Sequence, residues 1–112
     1  MSVIEIVRYR LKSGTTTEQA VAAWEKSQSF AKAQTGFLGR RIAVTQDGDW
    51  IDEVEWATME DAQKAGKAFD PARYPELLDL VAILDTSAMT MTHYTVQASH
   101  LRKALLPTAE MV

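Results

Sequence analysis

The 112-residue sequence contains no cysteine and no asparagine, and it has two histidines, His93 and His100. The absence of cysteine excludes disulfides, iron–sulfur clusters, thiolate zinc sites and cysteine nucleophiles. The absence of asparagine excludes an N-glycosylation sequon. No apolar run approaches the roughly 20 residues of a membrane-spanning helix, and residues 1–10 alternate charged with apolar residues, unlike a secretory signal. We therefore expect a cytoplasmic protein with no metal site and no membrane segment.

The charge balance is mildly acidic, with a formal net charge of −3. This charge argues against a general affinity for nucleic acid phosphates or anionic lipids. No phosphate-binding loop, dinucleotide-binding glycine fingerprint or nucleophile-elbow motif is present. With 46% hydrophobic residues, a chain of this length can bury the core of one domain. The sequence therefore predicts one domain that binds neither nucleic acid nor membranes.

The periodicity of the apolar residues indicates four strands and two helical regions. Val3–Leu11 is rich in β-branched and aromatic residues, which favours a first strand. Thr15 and Glu18 resemble a capping box, and the apolar stripe that follows predicts a helix to about Gln34. The later elements are a helix that opens at Thr58 and is interrupted at Asp70-Pro71, a further helix from Pro75, and a last strand over Ala88–Val96.

The dipeptide Asp47-Gly48 separates two strand-like segments, Leu38–Gln46 and Trp50–Ala57, and is a strong hairpin signal. A symmetric loop of two or four residues predicts the register of this hairpin. Its predicted pairs are Thr45 with Trp50, Ala43 with Asp52, Arg41 with Val54, Arg40 with Glu55, and Gly39 with Trp56. In this register Arg41 is diagonal to Asp52, and the Trp56 indole lies across Gly39.

The element order β, α, β, β, α, β predicts an α+β fold of the ferredoxin-like type, with both helical regions on one face of a four-stranded antiparallel sheet. We place the domain at residues 1–97 and a C-terminal tail at residues 98–112, in which Leu101, Ala104 and Leu105 are spaced for a short helix. The other sheet face mixes apolar and charged residues, which favours a homodimer interface. Its expected members are Ile4, Ile6, Arg8, Arg10, Arg40, Ile42, Val44, Ile51, Glu53 and Glu55.

In this order of elements, the segments Gly36–Arg41 (GFLGRR) and Asp52–Ala65 (DEVEWATMEDAQKA) resemble the antibiotic biosynthesis monooxygenase-like family. The most specific part of the resemblance is the junction between the third strand and the second helix, where Trp56 is followed by the pattern [ST]-x-E-x-A at Thr58, Glu60 and Ala62. The resemblance covers Val3–Val96. The resemblance implies a dimeric α/β barrel, in which two sheets pack face to face and each subunit holds a ligand pocket between its sheet and its helices. Members of this family include oxygenases that act on polyketide-like hydroxyaromatics without a cofactor. The resemblance therefore implies that this protein needs no cofactor.

Haem-degrading members of the family are similar in fold, and the resemblance implies that they use three residues: an Asn on the first strand, a Trp at the end of the third and a His on the second helical region. Trp56 matches the Trp. The chain has no Asn, and residues 60–84 contain no His that would bind iron. We therefore do not expect haem degradation.

Strand parity places a largely apolar set of side chains under the helices, as is typical of small-molecule sites. The expected ligand-binding residues are Glu5, Val7, Arg41, Trp50, Val54, Trp56, Met89 and Met91, and the expected catalytic residues are Tyr9, Asp52 and His93. An unperturbed histidine titrates near neutrality, so His93 is the natural base, with Glu5 or Asp52 to orient it. The strand order brings Glu5 towards His93 and Tyr9 towards Asp52. The tryptophans would stack on a planar ligand, while Tyr9 would donate a hydrogen bond to it and Arg41 would stabilise negative charge.

Each candidate residue also has a purely structural explanation. A lone histidine among methionines is often a core or interface residue, and tryptophans and methionines pack equally well in a core. Three functions therefore stay open: a cofactor-independent monooxygenase acting on a planar hydroxyaromatic, a non-catalytic dimer that binds a small hydrophobic ligand, and a cyclase or isomerase that uses His93 and Tyr9. The fold does not choose among them.

Overall fold

The computed structural model describes residues 1–100. Its elements are β1 (Val3–Leu11), α1 (Thr17–Ala33), β2 (Phe37–Val44), β3 (Trp50–Trp56), α2 (Met59–Ala68), a 3₁₀ turn (Pro75–Leu77), α3 (Leu78–Ile83) and β4 (Leu84–Thr95). The strands form one antiparallel sheet in the order β2-β3-β1-β4. This arrangement confirms the predicted ferredoxin-like α+β fold. The helix suggested around Leu101–Leu105 lies outside the described residues, and no helix within them is long and apolar enough to cross a membrane.

Both long helices begin at a threonine cap. Thr16 caps α1: its hydroxyl accepts a hydrogen bond from Gln19 N at 3.1 Å, and Gln19 Oε1 accepts one from Thr16 N at 2.9 Å. The predicted capping box at Thr15 was therefore wrong by one residue, because a glutamine completes such a box as well as a glutamate does. Thr58 caps α2 as predicted, and its hydroxyl accepts from Asp61 N at 3.0 Å.

The β2–β3 hairpin has a different register from the predicted one. A five-residue loop, Thr45–Asp49, is closed by hydrogen bonds from Thr45 N to Asp49 O at 2.9 Å and from Gly48 N to Thr45 O at 3.1 Å. Val44 consequently pairs with Trp50, and Arg40 with Val54. The predicted register was wrong by one residue, because an odd loop replaces the even one. A shift of one residue turns every side chain of a strand to the opposite face.

This shift moves Arg40, Ile42 and Val44 to the helix side of the sheet, where the sequence had not placed them. Ile42 accordingly packs against the core cluster that contains Trp50. Gly39 does not lie beneath Trp56: it pairs with Glu55, and no atom lies within 4 Å of the position that a Cβ would take. Phe37 pairs with Trp56 instead, with ring centroids 5.9 Å apart in an edge-on contact.

The last strand starts four residues earlier than predicted. Leu84 and Asp85 pair with Leu11 and Arg10, and the ladder resumes where Thr90 pairs with Arg8. Four residues, 86–89, thus lie opposite the single residue Tyr9, which makes a bulge in β4. The sequence concealed this start because Leu84 and its neighbours continue the apolar pattern of α3.

The core lies between the sheet and the helices in two clusters at opposite ends of the β1–β3 ladder. One cluster surrounds Val3 and its strand partner Trp56, and the other surrounds Tyr9 and its partner Trp50. Helix α1 contributes a buried stripe of Ala20, Ala23, Ser27, Phe30 and Ala31. Val54, in the middle of the ladder, belongs to the cluster around Val3, and Val7 packs against the cluster around Tyr9.

Gly36 ends the turn after α1 with a φ of +82°, a conformation that L side chains rarely adopt. A Cβ there would overlap the Asp61 carboxylate and approach Asp61 Cβ to 2.7 Å. We expect Gly36→Ala to lower the free energy of unfolding by about 2 kcal/mol in urea denaturation. Gly39→Ala is the matched control: its surroundings are open, so we expect a change within about 0.5 kcal/mol. Equal losses in the two variants would contradict this account of the turn.

Candidate functional site

A cavity of about 230 Å³ lies between the sheet and the helices. Its lining comprises Glu5, Val7, Tyr9, Ser27, Phe30, Ala31, Arg40, Asp52, Val54, Trp56, Ala65, Gly66, Phe69, Leu77, Leu80, Leu84, Met89 and Met91. Most of these residues are apolar and a few polar groups converge on the space, as in most small-molecule sites. Within residues 1–100, no group of three or more carboxylate or imidazole side chains is placed to hold one metal ion.

Of the site residues expected from the sequence, eight line the cavity: Glu5, Val7, Tyr9, Asp52, Val54, Trp56, Met89 and Met91. Trp50 lies behind Tyr9, with the two rings stacked at 6.2 Å, and belongs to the core. Arg41 is on the opposite face of the sheet, where it pairs with Glu53 and its side chain is 81% exposed. The expected position of Arg41 beside Asp52 was therefore wrong, because the hairpin register differs.

Arg40 occupies the position expected for Arg41, because the observed hairpin register turns Arg40 to the helix side of the sheet. Its Nε donates to Asp52 Oδ1 at 3.1 Å and its Nη2 donates to Asp52 Oδ2 at 2.7 Å. Both side chains are buried. A two-pronged contact of this kind is the strongest geometry that a guanidinium and a carboxylate can form.

Helix α1 holds the other side of the Arg40 guanidinium. Nη1 donates to Ser27 Oγ at 2.9 Å and to Gln28 Oε1 at 3.2 Å. The guanidinium carbon lies 4.8 Å from the centre of the Trp24 ring, in reach of a cation–π contact. Arg40 thus joins β2, β3 and α1, and its charge is matched by Asp52 before any ligand arrives.

Glu5 and His93 meet across the β1–β4 ladder, as predicted, with 3.2 Å between Glu5 Oε1 and His93 Nε2. Burial raises the pKa of Glu5 above its ordinary value, and the hydrogen bond and charge of His93 lower it in part. Glu5 lines the cavity, whereas His93 is not among the lining residues. The carboxyl group, and not the imidazole, is therefore the group that a ligand would touch.

Tyr9 is buried and lines the cavity from the C-terminal half of β1. The pKa of its hydroxyl is raised to about 12, chiefly by burial and also by the nearby Asp52 charge, while Arg40 opposes the rise. The Tyr9 hydroxyl consequently keeps its proton at physiological pH. It can donate a hydrogen bond to a ligand oxygen, but it cannot serve as a base.

Trp56 is 3% exposed, and its indole Nε1 is buried with no hydrogen-bond partner among the residues that the structure describes. The indole N–H is close enough to the Glu5 carboxyl group to lower its pKa by partial hydrogen bonding, against the larger effect of burial, but the contact falls short of a full hydrogen bond. An unpaired buried donor costs roughly 1–3 kcal/mol. A ligand oxygen at the Glu5 end would satisfy this donor.

Arg40→Met leaves the Asp52 carboxylate buried without its partner. We expect the free energy of unfolding to fall by about 3–5 kcal/mol in urea denaturation. The same substitution at the neighbouring Arg41 removes only an exposed pair with Glu53, so we expect a loss within about 1 kcal/mol. A larger loss for Arg41→Met than for Arg40→Met would contradict the hairpin register.

No family model and no curated protein matches the sequence. Solved structures do match. SnoaB, a cofactor-independent oxygenase from Streptomyces nogalater, is 14% identical over 88% of this chain and 95% of its own, with a TM-score of 0.67. The ActVA-Orf6 monooxygenase of Streptomyces coelicolor, in complex with nanaomycin D, is 14% identical over 90% of this chain and 92% of its own, with a TM-score of 0.64.

A third similar structure is a dimeric ferredoxin-like protein of unknown function from Thermobifida fusca. It is 10% identical over 86% of this chain and 92% of its own, with a TM-score of 0.62. Likeness at such low identity establishes the fold and leaves the activity open. The chain therefore has the ferredoxin-like fold of the antibiotic biosynthesis monooxygenases, as its sequence resemblance implied.

Proposed function

We propose that the protein is a cofactor-independent monooxygenase that oxidises a small planar hydroxyaromatic compound in the cavity between its sheet and its helices. The observation that carries this proposal is the Glu5 carboxyl group, which faces the cavity, has a raised pKa and bonds to His93. A carboxylate with a raised pKa is a better base than an ordinary one. The fold shared with SnoaB, a cofactor-independent oxygenase, supports the same reaction class.

The reaction needs a base, a dry site and dioxygen. Glu5 takes the phenolic proton, and the electron-rich phenolate passes one electron to O₂. The phenoxyl radical and superoxide then combine at a ring carbon, and the proton held by Glu5 converts the peroxide into a hydroperoxide. The ring hydrogen leaves as a proton, the O–O bond breaks and hydroxide departs, so that the products are a quinone and one water. O₂ is the oxidant: one of its atoms enters the product and the other becomes water.

The residues around Glu5 and along the cavity fit this chemistry. His93 lies behind Glu5 and shares the proton that Glu5 acquires. Tyr9, protonated because its pKa is about 12, donates to an oxygen that gains negative charge. Apolar walls that include Val7 and Val54 keep water from the radical pair.

Oxygen consumption tests the role of Glu5. With a panel of one-, two- and three-ring hydroxyaromatics and a metal chelator present, we expect one class to be oxidised by the wild-type protein. Glu5→Gln lowers kcat/KM by about 100-fold or more, and His93→Ala lowers it by about tenfold, because the base is lost or deprived of its partner. His100→Ala is the matched control at an exposed histidine outside the cavity, and it keeps the wild-type rate.

The pH profile provides a second readout from the same assay. The base must be ionised, so kcat/KM rises with pH, and burial places the midpoint of that rise above the ordinary Glu value of 4.5. Tyr9 titrates too high to cause a fall below about pH 10. Full turnover in Glu5→Gln would refute the base assignment. Product formed without oxygen would indicate a cyclase or isomerase, and saturable binding without product would indicate a binding protein.

We further propose that the protein forms a homodimer through the open face of the sheet, the face turned away from the helices. Ile4, Ile6 and Ile51 are half-buried there in one chain, and Tyr94 is 47% exposed beside them. The same face carries arginines and glutamates: Arg8, Arg10, Arg41, Glu53 and Glu55. A two-fold interface brings a surface against itself, so a face that carries both signs of charge is complementary to its own copy.

Light scattering at micromolar protein tests the dimer. We expect the mass of two chains for the wild-type protein and the mass of one chain for Ile6→Glu, which places a charge at the centre of the open face. Val21→Glu is the control: Val21 is a 39% exposed residue on α1, away from the sheet, and its variant stays dimeric. A monomeric wild-type protein would overturn the proposed interface without affecting the oxygenase assay.

A further inference from the structure

We infer that the cavity holds its ligand at two ends, and that it takes a compact aromatic compound of about two fused rings with oxygen atoms at opposite ends of the ring system. The aromatic nature of the ligand rests on the proposed function. The size of the ligand and the placement of its oxygens go beyond it, and they follow from which cavity groups still have free hydrogen-bonding capacity.

Two polar groups with free capacity stand at opposite ends of the cavity. Glu5 and Tyr9 both project from the helix side of β1 and both line the cavity. They are four residues apart on one strand, which puts their Cα atoms about 13 Å apart. Val7 lies between them, with its strand partners Met91 and Asp52 on either side, so Asp52 is the polar residue next to the middle of this stretch.

At the Glu5 end, Oε1 of the carboxyl group is bonded to His93, and the buried Trp56 Nε1 approaches Glu5 without reaching hydrogen-bond geometry with any group in residues 1–100. At the other end, the influences on the Tyr9 hydroxyl within residues 1–100 are burial and the charges of Asp52 and Arg40, and no side-chain hydrogen bond is among them. A buried polar group in this condition favours a ligand that completes its hydrogen bonds.

The polar groups between the two ends are already satisfied. Arg40 and Asp52 bond to each other through two contacts, and Ser27 and Gln28 accept the remaining Arg40 donor. Both carboxylate oxygens of Asp52 are thus bonded to Arg40 on β2. A ligand gains nothing by placing a polar group at the middle of the cavity, and it gains by placing one at each end.

The volume sets the size of the ring system. A cavity of about 150 Å³ holds one benzene ring, whereas sites for drug-sized ligands run to roughly 300–1,000 Å³. The volume here, about 230 Å³, lies between these sizes. Val7 and Val54 on the sheet and Phe30 and Leu80 on the helices form the opposed walls of the cavity. On this scale the volume corresponds to about two fused rings.

The test is a calorimetric titration of the protein under nitrogen with naphthalene-2,6-diol, naphthalene-2,3-diol and 2-naphthol. The two diols have the same atoms and differ only in whether their oxygens lie at opposite ends or on one edge. We expect the 2,6-diol to bind about tenfold more tightly than the other two, the ratio that one additional hydrogen bond gives. Anthracene-2,6-diol, one ring longer, binds more weakly than the naphthalene-2,6-diol.

Tyr9→Phe locates the second contact, because it removes the hydroxyl and keeps the ring that stacks on Trp50. We expect this variant to bind the 2,6-diol as weakly as it binds 2-naphthol. Equal affinity of the wild-type protein for the two diols would overturn the inference, and that comparison needs no variant. Tighter binding of the anthracene diol, or a preference that survives Tyr9→Phe, would also overturn it.

Because the titration is done under nitrogen, it measures binding separately from the oxidation that the proposed function requires. Preference for the 2,6-diol with no oxygen consumption in air would support two-ended binding and refute the oxygenase. Oxidation of all three compounds, with no preference in their affinities, would refute two-ended binding and leave the oxygenase in place.

Discussion

The buried ion pair of Arg40 and Asp52 is the interaction on which the helix side of the sheet depends. Two charges removed from water are costly unless each is paired and hydrogen-bonded, and here α1 completes the arrangement through Ser27 and Gln28. The register of the hairpin depends on more than this pair. A slip of one residue would turn Arg40 away from Asp52 and bring Arg41 to the same side of the sheet, but it would also turn Ile42 out of the core and remove the contacts of Arg40 with α1.

The same pair contributes to the electrostatics of the cavity. The negative charge of Asp52 raises the pKa of both Glu5 and Tyr9, although burial has the largest effect on each, and His93 and Trp56 affect Glu5 more strongly than Asp52 does. Both pKa values rise, and the rise has a different consequence for each group. Glu5 becomes a better proton acceptor, while Tyr9 is held as a donor. One structural ion pair therefore tunes two groups that it does not contact directly.

Much of this arrangement could be predicted from the sequence because local signals and strand parity determine it. The bounds of β1 and the contact between Glu5 and His93 followed from alternation and strand order alone. The hairpin register did not, because Asp47-Gly48 fits loops of several lengths, and two adjacent arginines give no signal of which one faces the helices. The early start of β4 was hidden for a related reason, since an apolar run that ends a helix reads like one that begins a strand.

The contact between Glu5 and His93 joins positions 88 residues apart in the chain. Contacts between such distant segments form slowly in folding, because the entropy of closing a long loop must be overcome before the contact contributes stability. The β2–β3 hairpin and its flanking helix are far more local. The site that binds oxygen-reactive compounds under our proposal is thus completed only when the two ends of the domain meet, and a nascent or partly folded chain lacks it.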